Sequence, residues 1–118
     1  MLDHVAIPVH DLDASRKFYE PLLAQLGAKV VLEWPGGVLF GTDDGMFALR
    51  QSDQVMPVHV AFKADRPGVD RFHESAVAAG ASDNGAPGVR SEYHENYYAA
   101  FVIDPDGHNI EAVCHLPA

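Results

Sequence analysis

Seven histidines in 118 residues are the first sign of chemistry in this chain, and two of them are marked by context. His4-Val-Ala-Ile7 recurs as His59-Val-Ala-Phe62, 55 residues later (59 − 4). Each copy opens a β-rich run that leads into a helical pattern, so the echo falls at equivalent points of two units. Near the end, Asp104-Pro-Asp-Gly-His-Asn-Ile-Glu111 brings a carboxylate onto a third strand of the same kind. Two neutral imidazoles and one carboxylate form a facial set that suits a divalent first-row ion and leaves coordination positions open. Open positions let an ion polarise substrate oxygens instead of serving as a structural clip.

The elements that must position these groups repeat. Leu2–Val9 reads as a strand, and Asp11 or Asp13 caps a helix running to about Leu26, with Gly27 as its stop. Pro21 inside that pattern predicts a bent helix or two pieces. Short strands follow at Ala28–Glu33, Val38–Gly41 and Met46–Gln51. The order then recurs: a strand at Pro57–Lys63 and a helix from Asp65 to Gly80 with Pro67 in its first turn. A Gly/Pro-rich stretch over 81–88 leads to strands near Val89–Tyr93, at Tyr97–Ile103 and at His108–His115. The chain therefore reads βαβββ twice, an α+β domain with modules of about 1–54 and 55–118.

Period-2 alternation assigns faces. Val5 and Ile7, like Val60 and Phe62, form the apolar face that a helix covers; His4 and Ala6, like His59 and Ala61, take the other. On the last strand Glu111 points away from Ile110 and Ala112, so His4, His59 and Glu111 are expected on the uncovered face. A symmetric reversal through Asp104–Gly107 pairs Ile103 with His108, Ala100 with Glu111 and Tyr98 with Val113. That register places Tyr98 and Ala100 on the Glu111 side, and a bulge would flip it.

Composition narrows the classes. With 8 Lys+Arg against 17 Asp+Glu, the net charge of −9 disfavours nucleic acid and anionic membranes as partners. The single cysteine, Cys114, forms no internal disulfide framework, which suits a reducing compartment; it falls on the helix side and reads as buried. No basic leader or membrane-length apolar run is seen, so a cytoplasmic location is expected.

On His4, His59, Glu111 and the stretch from Tyr98 to Glu111, the chain resembles the vicinal oxygen chelate superfamily of glyoxalase, bleomycin-resistance and extradiol-dioxygenase proteins. The resemblance covers nearly the whole chain. It implies a glyoxalase-like fold, with two βαβββ modules joined into a partly closed mixed β-barrel, helices outside, often in a homodimer. It also implies a divalent metal (Fe, Mn, Ni, Zn, Co or Mg) held by His4, His59 and Glu111. Such an ion chelates two neighbouring oxygens of a small-molecule substrate and stabilises an enolate or similar anion. The fourth glyoxalase-type ligand is missing: aligning Asp44-Gly45 with Asp106-Gly107 puts Leu49 opposite Glu111, and a shift of two would bring Gln51. That puts hemithioacetal isomerisation in doubt and brings the set nearer the dioxygenase and fosfomycin-resistance branches.

Between Ser91 and Tyr98, His94 is a candidate acid or base and Tyr98 a candidate donor to a substrate oxygen. The expected function is a metal-dependent enzyme on a small molecule. The alternative is a non-catalytic protein that sequesters an antibiotic or toxin.

Overall fold

The computed structural model describes residues 1–118. The first unit is β1 (His4–Val9), α1 (Leu12–Ala24), β2 (Lys29–Trp34), β3 (Gly37–Thr42) and β4 (Gly45–Gln51). The second is β5 (His59–Lys63), α2 (Arg66–Ala78), β6 (Ser82–Val89), β7 (Tyr98–Ile103) and β8 (Asn109–Cys114). Both helices start where the sequence supplies a cap: Asp11 accepts from the Ala14 amide, and Asp65 from the Gly68 amide. α1 runs through Pro21 as one helix. Pro21 sits on the solvent side. β6 is displaced from expectation: it occupies Ser82–Val89, and 90–97 is a loop. Register shifts between Asp83 and Gly88 accommodate the glycines of this edge strand.

Each unit forms its own four-stranded sheet, in the orders β1-β4-β3-β2 and β5-β8-β7-β6. The partly closed barrel expected from the family is not formed: neither sheet closes into a barrel or curls strongly. The reason lies in the edge strands. β1 pairs only with β4, and β5 only with β8, so no ladder carries one sheet into the other. Alternation within strands shows which face is apolar, but not whether two edges will pair.

The units share one core instead. Phe18, Tyr19, Leu22 and Leu23 of α1 and Val69, Phe72 and Ala76 of α2 join Ile7, Phe47, Leu49, Val102, Ile110 and Cys114 in a single buried cluster. Cys114 is buried and unpaired. Phe72 is fully buried, so Phe72→Ala should destabilise by about 3–5 kcal/mol through lost burial and a residual cavity, readable by chemical denaturation.

Candidate metal centre on the second sheet

β5 and β8 run parallel, with Ala61 beside Glu111 and His59 beside Asn109. The alternation therefore delivers His59 and Glu111 to the uncovered face, with small Ala61 leaving space around them. His59 Nε2 lies 3.0 Å from Glu111 Oε1. His59 Nδ1 lies 2.9 Å from the Asn109 carbonyl oxygen. A carbonyl only accepts, so Nδ1 carries a proton, and Nε2 faces the carboxylate oxygen either as a second donor or, without its proton, as a ligand nitrogen. Two lone pairs at that separation need a proton or a cation between them. A ring oriented by a backbone carbonyl, with its free nitrogen beside a carboxylate, is the arrangement that metal-binding histidines adopt. These donors fit a divalent ion.

Glu111 is only 2% exposed although it carries the site's charge. Its Oε2 accepts a hydrogen bond from the Tyr97 hydroxyl. Burial, then the bond to Glu111 and its charge, push the Tyr97 phenol up to about 12. Tyr97 therefore stays a donor across the physiological range. Because its folded value lies above the unfolded 10.0, the stability it contributes is complete below pH 10 and fades as pH rises toward 12. In metal-free protein, the phenolate absorbance step near pH 12 should disappear in Tyr97→Phe; a wild-type Tyr97 that titrates at 10 would overturn this.

Tyr97 went unnoticed in the sequence because of a one-residue slip. The observed register pairs Ile103 with Asn109, Phe101 with Glu111 and Tyr98 with Cys114. The Asp104–His108 turn holds one residue more than a symmetric reversal, and closes through the Asp104 amide and the His108 carbonyl at 3.0 Å. A slip of one exchanges every face. The Glu111 side thus receives Tyr97, Ala99 and Phe101, and Phe101 stacks on His59 with ring centroids 6.3 Å apart. The same slip corrects the missing ligand: Ala48, which pairs with Ala6, is the counterpart of Glu111, while Leu49 is buried in the core. Neither Ala48 nor Leu49 can bind a metal. Gln51 accepts from the Leu12 amide at 3.1 Å.

The other expected site residues lie elsewhere. Tyr98 is on the helix-covered side, donating to Asp70 at 2.5 Å with the Arg66 guanidinium over its ring. His94 lies on the 90–97 loop, its Nε2 2.7 Å from His115 Nδ1 and its ring against Tyr97, so it borders the centre without touching Glu111. His4 is on the open face of the first sheet, bonded to Asp3 at 2.7 Å, and does not reach His59 and Glu111.

A second group presents ligand atoms within 4.8 Å of one another: Asp104, Asp106 and His108, a spacing that a divalent ion can bridge. In this structure their hydrogen bonds are already committed. His108 Nδ1 accepts from the Val58 amide at 3.0 Å, and Nε2 donates to the Pro8 carbonyl at 2.8 Å. Asp104 accepts from Tyr19 and from the Asp106 and His108 amides. Asp106 accepts from the His10 amide at 3.0 Å and the Ser15 hydroxyl at 3.4 Å. Burial and the nearby Asp104 charge hold Tyr19 protonated, its acidity pushed far below that of a free phenol. With both nitrogens of His108 engaged, the cluster clasps the second unit to β1 and α1.

Comparison with known proteins agrees with this architecture. Residues 1–112 match the Glyoxalase/Bleomycin resistance protein/Dioxygenase superfamily, and the chain belongs to that family. A crystal structure of a glyoxalase/bleomycin resistance protein from Albidiferax ferrireducens T118 is 29% identical, with a TM-score of 0.87 over 97% of this chain and 98% of that one. The uncharacterized protein YqjT of Bacillus subtilis (strain 168) is 27% identical over 95% of this chain and 97% of its own length. The fosfomycin resistance protein FosX from Mesorhizobium loti, 23% identical over 97% of this chain and 91% of its own, shares the fold at a TM-score of 0.73. No helix is long and apolar enough to cross a membrane.

Proposed function

We propose that the chain is a divalent-metal-dependent enzyme of the glyoxalase/dioxygenase-like group, acting on a small molecule that offers two neighbouring oxygens. The observation that carries this reading is His59 Nε2 at 3.0 Å from Oε1 of the buried Glu111, with Nδ1 held by the Asn109 carbonyl. A bound ion would act as a Lewis acid on the two substrate oxygens. His59 and Glu111 hold the ion, and Tyr97 fixes the second oxygen of Glu111 so that Oε1 keeps its aim. Phe101 and Ala61 wall the space above them. His94, beside Tyr97, is placed to exchange a proton with solvent.

His4 enters as the third ligand from the facing first sheet of a second copy of the chain. Two features favour that homodimer: His4 lies apart from the pair within one chain, and Leu32 and Trp34 are exposed on the first sheet's outer strand. Elemental analysis after loading with Mn, Fe, Co, Ni or Zn tests the reading. About one equivalent per chain is expected for at least one ion. Less than a tenth of an equivalent for every ion would overturn it in favour of a metal-free binding protein. Light scattering at micromolar concentration should give twice 12.8 kDa, and a monomer would remove the role of His4.

A further inference from the structure

The two units repeat one topology but are joined asymmetrically. At one end the 104–108 turn is locked to β1 and α1 by the His108, Asp104 and Asp106 bonds described above. At the other end the corresponding turn of the first unit, around Asp43 and Asp44, faces the end of β5. There the polar contact between units is one ion pair, Lys63 to Asp44 at 3.3 Å, with side chains 73% and 72% exposed. Between them lies a half-open cleft of about 530 Å³.

A void of that size exceeds what packed interiors leave and matches the range of small-molecule sites. Partly exposed Phe62 lines it above the buried rings of Phe40 and Phe47, and Phe47 meets Phe62 edge-to-face at 5.0 Å. Its rim carries Asp3, Asp43 and Asp44 against the single ammonium of Lys63, with His4 turned to Asp3. An aromatic floor strips water from an apolar body, and both ring faces and carboxylates favour positive charge. The Lys63–Asp44 pair, exposed on both sides, is weakly held and readily displaced.

We propose that this cleft is a binding site for a small organic cation, an aromatic or aliphatic body bearing a protonated amine. The body lies against Phe62 and Val60, and the amine replaces Lys63 at Asp44 and Asp43. The site uses neither His59 nor Glu111; His4 lies at its rim, but the contacts proposed for the cation do not use it.

Titration of the intact protein with 2-phenylethylammonium, 3-phenylpropionate and 2-phenylethanol, followed by amide NMR, tests it. The cation should shift the amides of residues 44–47 and 60–63 and bind about tenfold more tightly than the anion. The double variant Asp43→Asn/Asp44→Asn should lose that preference while binding the alcohol as before. Val60→Trp, which fills the cleft, should block all three. Equal affinity for cation and anion, shifts confined to His59, Tyr97 and Glu111, or no shifts at millimolar ligand would each overturn the proposal. The surface double variant guards against failure of Val60→Trp to fold.

Discussion

Glu111→Gln should lower divalent-metal affinity on the order of 100-fold or more, beyond what loss of a supporting partner causes, while the metal-free protein stays folded. The amide has the shape of the carboxylate. Its oxygen can accept from the Tyr97 hydroxyl, and its NH2 can donate to His59 Nε2 when that nitrogen carries no proton. Metal-free stability should therefore remain within about 1 kcal/mol of wild type, or rise, because a buried charge has gone. His59→Ala removes the nitrogen ligand and should match the loss of affinity. It differs in stability: Glu111 then keeps only Tyr97, and a 2% exposed carboxylate loses its facing partner. Titration calorimetry with Co2+ or Zn2+, with the cobalt absorption spectrum as a check on coordination, measures the first effect and thermal unfolding the second. Wild-type affinity in both variants would show that His59 and Glu111 are an ordinary ion pair.

Most of the fold was legible because it depends on local pattern. The His-Val-Ala repeat, the Asp11 and Asp65 caps and the apolar alternation of β1 and β5 placed two units of equal topology. The shared face of His59 and Glu111 was legible for the same reason, since each is placed by alternation within its own strand. What failed depends on relations between strands. Tyr98 falls on the Glu111 side only in a symmetric turn; one additional residue in the Asp104–His108 turn moves the β7–β8 register and brings Tyr97 there, and turn length is not set by periodicity. The barrel failed likewise, since edge pairing between β1 and β5 is a long-range fact. His4 shows the limit most clearly: its strand face was assigned, but equivalent faces of two sheets need not meet within one chain.

His108→Ala should be the most destabilising substitution outside the hydrophobic core, although nothing in the sequence around this turn marks the residue. The ring is 0% exposed and spends both nitrogens, one on the Val58 amide and one on the Pro8 carbonyl. Truncation takes the ring from the part-buried Val58 amide and Pro8 carbonyl, at up to about 1–3 kcal/mol each, and leaves a void where the ring was. A loss of about 4 kcal/mol follows, a large fraction of the roughly 5–15 kcal/mol that holds a domain folded. The midpoint of thermal unfolding should fall by on the order of 15 °C. His108→Gln, long enough to reach the Pro8 carbonyl, should recover part of that loss. Tyr19→Phe leaves Asp104 without its hydroxyl donor and should cost about 1.5–3 kcal/mol. Because His108, Tyr19 and Asp104 belong to one network, the double variant should lose less than the sum of the single ones. The same proteins decide between the two candidate metal clusters. If the clasp is structural, His108→Ala below its unfolding range binds metal as wild type does, and only His59→Ala and Glu111→Gln lose it. Loss of metal in His108→Ala with wild-type affinity in Glu111→Gln would move the ion to the clasp.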